Sequence, residues 1–263
     1  RARLQRCDRP TGRVRQAAHA ETHGEQELNI MASPNHLKRL VMPRSWPLPR
    51  KTSVWVSKPK PGAHSLERGM PLNMIIRDVL GLANTNREVR AILNQGLVKV
   101  DGRVCRETRR SVGLMDVLTL GEDNYRCVLD HKGRLRYRPI PASDAAWKVC
   151  RVEGKTTVKG GKTQVNLHDG RNILVDDAAL YATHDAVRIS LPDQEVLEHI
   201  VFAEGTRCFL IGGVHVGSFA DVKEYIVKRS SMPNEVQFDD FGTTVGNVFA
   251  VGSADLPTTE VAA

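Results

Sequence analysis

The sequence predicts an α+β fold: a small helix–helix–hairpin module followed by a β-rich remainder. Three observations predict it. Apolar residues recur at helical spacing between 72 and 93, interrupted by a capping signal. An Asp-Gly pair at 101–102 separates two short β-like runs. Beyond residue 121, helical periodicity gives way to short runs divided by Gly, Asp and Asn turns.

Pro71 opens the first helix, with Leu72, Ile75, Ile76, Val79 and Leu80 on one broad apolar face. Thr85-Asn86-Arg87-Glu88 then fits a capping box, in which Thr85 accepts from the third helical amide and Glu88 reaches back. The second helix runs to about Gln95, and Gly96 stands where a left-handed C-terminal cap is wanted. Leu97 to Val100 reads as a strand, Asp101-Gly102 as a two-residue hairpin turn, and Arg103-Val104 as the start of the return. Val89, Ile92 and Leu93 follow core spacing on the second helix, while Arg87, Arg90 and Asn94 fall on another side. Two arginines beside a lysine-bearing hairpin make a compact cationic site, because a guanidinium can hold a phosphate through two hydrogen bonds.

Further strands are expected at Tyr125–Val128, Trp147–Val152, Gln164–Leu167, Asn172–Val175, Ala186–Ser190, His199–Ala203, Arg207–Ile211 and Tyr225–Lys228. Their spacing suggests small barrels or sandwiches. Upstream of the module, seven prolines between residues 31 and 71 forbid long helices. Lys38, Arg39, Arg44, Arg50, Lys51, Lys58 and Lys60 run through that stretch, with Trp46 and Trp55 between them. Such a segment can lie along a nucleic acid, cations on phosphates and indoles on bases. It reads equally as a proline-rich linker whose tryptophans pack locally. Residues 1–30, rich in Arg, Gln, His and Glu and lacking an apolar run, are expected to be a non-native or disordered extension before Met31.

Charge is unevenly placed. The chain has a net charge of +8, yet residues 31–120 carry +10 and residues 176–263 carry −9. That polarity suits a protein that presses one end onto phosphates. Five scattered cysteines with no CxxC pair read as reduced thiols, neither a disulfide framework nor a zinc site. No run of about 18 apolar residues is available to span a membrane.

Two Gly-Lys-Thr triplets, at 154–156 and 161–163, do not make a phosphate loop. The required leading glycine is Val149 in one register and Thr156 in the other, and strand-like residues follow. Lys162 is better read as a turn lysine touching RNA phosphate. Gly212 to Gly217 has the wrong glycine offsets for a dinucleotide fingerprint, and His168-Asp169-Gly170 reads as a turn. The histidines show no HExxH spacing, so no metal site and no catalytic residues are expected.

Several segments together resemble the S4e family of archaeal and eukaryotic small-subunit ribosomal proteins, over roughly residues 31–252. They are His36-Leu37-Lys38-Arg39-Leu40, the run from Val98 to Val104, Gly113 to Val117, Lys148 to Val152, His168 to Ile173, and Phe202 to Gly217 with Ile211-Gly212-Gly213. By composition, residues 31–70 form a basic Pro-rich N-terminal segment and residues 251–263 a tail rich in Thr, Pro and Ala. The resemblance implies an S4-type RNA-binding module at 71–120, a family-specific central β domain at 121–197 and a KOW-type, SH3-like barrel at 198–250. It implies RNA-facing residues at Thr85, Asn86, Arg87, Arg90, Lys99, Asp101, Gly102 and Arg103. Lys38, Arg39, Arg50, Lys51 and Lys162 are the further expected RNA contacts. The function implied is a structural constituent of the small ribosomal subunit, cytoplasmic and ribosome-bound. Its partners would be ribosomal RNA and neighbouring ribosomal proteins, with no cofactor, membrane or small-molecule substrate. The alternatives are an RNA-modifying enzyme or an off-ribosome RNA chaperone that uses the same module. The enzyme would need a cofactor loop or a placed catalytic Asp, and neither is found in the sequence.

Overall fold

The computed structural model describes residues 36–177, 179–254 and 256–257. The chain divides into two compact units, residues 1–36 and 37–263. The expected extension at 1–30 and most of the expected tail lie outside the described residues. Apart from His36, every described residue belongs to the second unit.

The element order matches the predicted class. After β1 (His36–Lys38), β2 (Trp55–Ser57) and β3 (Gly69–Pro71), helix α1 starts as an α-helix at Leu72–Met74 and widens to π-type turns over Ile75–Val79. Leu72, Met74, Ile75 and Ile76 are all buried, so the widened turn keeps the apolar face on the core. Helix α2 (Asn86–Asn94) begins at the predicted cap: the Glu88 amide donates to Thr85 Oγ1 at 3.3 Å. The Glu88 carboxylate reaches back one residue further than expected, accepting from the Asn84 amide at 2.8 Å. Gly96 takes φ +76°, the left-handed geometry that ends the helix.

Strands β4 (Val98–Val100) and β5 (Arg103–Val104) pair in the predicted hairpin, Val100 opposite Arg103. Asp101 and Gly102 both take positive φ, 51° and 76°, as a type I′ turn requires. A five-stranded antiparallel sheet is built in the order β5-β4-β7-β8-β9, with β7 at Val117–Leu120, β8 at Asp123–Leu129 and β9 at Leu135–Ile140. β9, Leu-Arg-Tyr-Arg-Pro-Ile, is not among the expected strands. Its two arginines alternate with buried Leu135 and Tyr137, and its proline is tolerated because β9 is an edge strand. β6 (Ser111–Gly113) pairs with β3 beside this sheet.

A second five-stranded sheet runs β12-β11-β10-β13-β14, formed by β10 (Trp147–Thr157), β11 (Thr163–Leu167), β12 (Asn172–Val175), β13 (Ala186–Ser190) and β14 (Val196–Ile200). β14 corrects the expected strand at His199–Ala203: the hairpin register sets Val187 opposite His199 and Ala186 opposite Ile200, so pairing stops there. β10 is buried on both faces over Trp147–Val152, with Cys150 and Val152 joining a small core with Val165, Leu167, Val187 and Ile189.

The last part holds two three-stranded sheets. One is β16-β15-β20, from β15 (Arg207–Leu210), β16 (Phe219–Asp221) and β20 (Val248–Ala250). The other is β17-β18-β19, from β17 (Glu224–Ile226), β18 (Glu235–Gln237) and β19 (Gly242–Thr244). Phe209 and Phe249 from the first sheet, Val236 from the second, and Val222 and Phe238 just beyond strand ends join the large core that also holds the module's apolar residues. Gly217 sits so close to the β8–β9 turn that a Cβ would lie 2.7 Å from the Asp130 carbonyl carbon, so glycine is required there. Arg151 ties the central sheet to this part, donating through Nη1 to the Gly246 and Val248 carbonyls at 3.2 and 3.0 Å. Cys105, Cys127, Cys150 and Cys208 are free thiols, and burial pushes Cys208 up to about 12. No helix among the described residues is long and apolar enough to cross a membrane.

Candidate nucleic-acid interface

α2 separates its two faces as its sequence predicts. Val89 and Leu93 are fully buried against the core, while Arg87, Arg90 and Asn94 are exposed. Thr85 and Asn86 lie exposed at its start, and Arg77 Nη1 donates to Asn86 Oδ1 at 3.2 Å. On the hairpin the two-residue period works the same way: Val98 and Val100 are buried and Lys99 between them is exposed. Gly102 and Arg103 are exposed at the tip, and Gly102 lies against Pro192, which a Cβ would approach to 3.0 Å.

Two expected contacts are not on the surface. Asp101 is 5% exposed; one carboxylate oxygen accepts from the Val117 amide at 3.0 Å, and the other meets Lys148 Nζ at 2.8 Å and Arg171 Nη2 at 2.6 Å. Arg39 is 6% exposed, and its guanidinium donates to the Pro49 carbonyl and Ser53 Oγ at 2.6 and 3.2 Å. Both side chains hold backbone in place. Trp46 is likewise a core residue, its indole N–H donating to the Gly69 carbonyl at 3.0 Å, which leaves Trp55 as the exposed indole of the N-terminal segment. That settles Trp46 in favour of local packing.

Lys38 and Lys51 are exposed and Arg50 is half-buried, its Nη1 donating to the Leu40 carbonyl at 2.9 Å. Lys162 is exposed on the β10–β11 turn and faces Asp176 across 3.4 Å. Strand β11 begins at the next residue, so no helix N-terminus points at a phosphate there. The first Gly-Lys-Thr triplet lies inside β10.

Behind the hairpin lies a buried ionic cluster that was not among the expected features. Lys148, with no exposed surface, places Nζ within 2.9 Å of Asp101, Asp116 and Asp169. Arg171 Nε also meets Asp169, at 3.1 Å, and His64 Nε2 meets Asp116 Oδ2 at 2.7 Å. Three carboxylates thus face two permanent cations and one histidine. Burial pulls His64 down, but the Asp116 carboxylate outweighs it and its pKa is raised, which favours the imidazolium and balances the charge. Burial pushes Asp116 up, yet His64, Lys148 and the Gly113 amide hold it well below the usual carboxylate range. Burial and the neighbouring Asp116 leave Asp101 raised. Neighbouring His168 is pushed down to about 4 by burial. Its neutral ring accepts the Arg151 amide at Nδ1, at 3.1 Å.

The three carboxylates offer ligand atoms within 4.8 Å of one another, but the Lys148 ammonium occupies the point where a metal ion would be held. A signal for the cluster does exist in the sequence: Trp147-Lys148-Val149-Cys150-Arg151-Val152 puts two cations into an otherwise apolar strand, and a buried cation demands partners. His168-Asp169-Gly170 is the turn that was expected, and Asp169 supplies one of those partners.

These features define an S4-type module built on a larger β-rich body. Residues 70–118 match the S4 domain, residues 31–67 the RS4NT (NUC023) domain, and residues 121–196 the Ribosomal family S4e. The small ribosomal subunit protein eS4 of Methanothermobacter thermautotrophicus is 43% identical over 230 residues, covering 85% of this chain and 94% of that one. That of Methanocaldococcus jannaschii is 41% identical over 234 residues, covering 84% and 95%. The crystal structure of 30S ribosomal protein S4e from Thermoplasma acidophilum superposes with a TM-score of 0.63 at 32% identity, covering 71% of this chain and 96% of that one. The chain belongs to ribosomal family S4e.

Proposed function

We propose that this protein is a structural constituent of the small ribosomal subunit that binds ribosomal RNA through the α2 start and the β4–β5 hairpin, and catalyses nothing. The observation that carries the reading is the division of α2: Arg87 and Arg90 stand exposed opposite fully buried Val89 and Leu93, next to a hairpin that presents Lys99 and Arg103. An exposed guanidinium pair on a capped helix can donate paired, charge-assisted hydrogen bonds to phosphate oxygens. Lys38, Lys51 and Lys162 add exposed positive charge.

In this reading residues 31–70 are the basic N-terminal segment, 71–120 the RNA-binding module, 121–197 the central β domain and 198–250 a KOW-type barrel. Two three-stranded sheets around one core support the barrel assignment. Asp101 acts from inside, holding the hairpin turn for its exposed neighbours. The protein works in the cytoplasm as part of the ribosome, with ribosomal RNA and adjacent ribosomal proteins as partners. The test is co-sedimentation: the full chain is expected to travel with small subunits through a gradient at moderate salt. Recovery wholly in the free-protein fractions would exclude the ribosomal role.

A further inference from the structure

Two adjoining surface cavities lie between residues 42–50 and the turn from β8 to β9. One, of about 590 Å³, is lined by residues that include Arg44, Arg50, Glu67 and Arg68. The other, of about 670 Å³, is lined by Arg44, Arg50, Lys132 and Arg134 with Trp46 and prolines. Arg44 and Arg50 line both, so the two form one groove. Five cations face it, against the single carboxylate of Glu67. Arg44, Arg68, Lys132 and Arg134 are exposed.

The groove is pre-built. The Leu135 amide donates to the Ser45 carbonyl at 2.7 Å, and Ser45 Oγ donates to the Glu67 carbonyl at 2.5 Å. The turn carrying Lys132 and Arg134 is closed by the Asp130 amide donating to the Arg134 carbonyl at 2.8 Å and the Gly133 amide to the Asp130 carbonyl at 2.7 Å. Gly217 packs closely against that turn at Asp130 and His131. Buried Trp46 fixes the segment that holds Arg44. None of these residues belongs to α2 or the β4–β5 hairpin. In the sheet order β5-β4-β7-β8-β9 the hairpin forms one edge and β9 the opposite edge.

We infer that this groove seats the phosphate backbone of a second RNA segment, so that the protein clamps two segments of folded RNA at opposite edges of one sheet. The inference rests on the RNA-binding reading above. RNA backbone is the favoured occupant because Arg44, Arg68 and Arg134 are exposed and offer planar forks matched to phosphate oxygens. The indole lining the groove is buried in the core, so the groove offers charge and not a stacking platform; recognition there is independent of base sequence.

The experiment measures binding of the full chain to naked small-subunit ribosomal RNA across a salt series. It compares wild type, Arg44→Ala/Lys132→Ala/Arg134→Ala, Arg87→Ala/Arg90→Ala, both sets combined, and Arg44→Lys/Arg134→Lys. Circular dichroism is expected to be unchanged in all of them, since the replaced side chains are exposed. The groove variant is expected to flatten the log–log salt slope by roughly 0.9 for each phosphate left unpaired, about 2 to 3 in total, additively with the helix pair. The lysine variant is expected to keep most of the slope. A groove variant with wild-type slope, while the helix pair flattens it, overturns the clamp and leaves the helix–hairpin reading standing. Salt-independent or absent binding by the wild type overturns both. A groove variant that binds RNA normally but no longer binds polyglutamate assigns the groove to an acidic polypeptide and overturns the RNA occupant.

Discussion

The Lys148 ammonium lies 2.8 Å from the Asp101 carboxylate, 47 positions earlier in the chain and directly at the turn of the β4–β5 hairpin. The module's presented turn is therefore anchored by a charge from the central sheet. Replacing Lys148 with Met leaves three buried carboxylates facing one guanidinium and one histidine. Removing one partner of a buried ionic group costs about 3–5 kcal/mol. The urea midpoint of Lys148→Met is expected to fall accordingly, and Asp101→Asn/Lys148→Met to recover part of the loss. A double variant no more stable than the single would show that the two groups are not coupled.

The exposed face of α2 makes a separate prediction, because changes there leave the core untouched. Arg87→Ala/Arg90→Ala is expected to keep the wild-type urea midpoint while RNA binding weakens. Its salt dependence is expected to become shallower by roughly one unit for each phosphate no longer neutralised. An unchanged slope in the folded variant would remove both arginines from the interface.

The two histidines near the cluster give opposite pH dependences in separate windows. His64 has a raised pKa in the folded chain, so its contribution is fully present below its ordinary value of 6.5 and is lost as pH rises through the raised value. His168 is pushed down to about 4, so its contribution is present above 6.5 and is lost as pH falls from 6.5 toward 4. Comparing urea midpoints of wild type, His64→Gln and His168→Gln across pH 4–9 separates them. The wild-type advantage over His64→Gln is expected to shrink on the alkaline side, and that over His168→Gln on the acidic side. A wild-type advantage over His64→Gln that grew with rising pH would contradict an imidazolium paired to Asp116.

The amino-acid sequence by itself determined whatever local rules decide. Helix α2 is legible in Thr85, Glu88 and Gly96, because a cap bonds within four residues. The hairpin is legible in Asp101-Gly102, because only residues tolerant of positive φ form its turn. The exposure of Arg87, Arg90 and Lys99 comes from helix and strand periods laid over buried Val89, Leu93, Val98 and Val100. Tertiary structure decided which charges are withdrawn from solvent. Asp101 lies in the hairpin turn and Arg103 directly follows it, yet Asp101 is buried against Lys148 and Arg171 while Arg103 is exposed. Arg39 and Trp46 sit among exposed basic residues and are themselves buried. The reason is physical: a buried charge is tolerated only where an opposite charge or a set of hydrogen-bond acceptors meets it. Lys148 meets Asp101, Asp116 and Asp169 across separations of 47, 32 and 21 residues, and only the folded sheets bring those positions within hydrogen-bond reach.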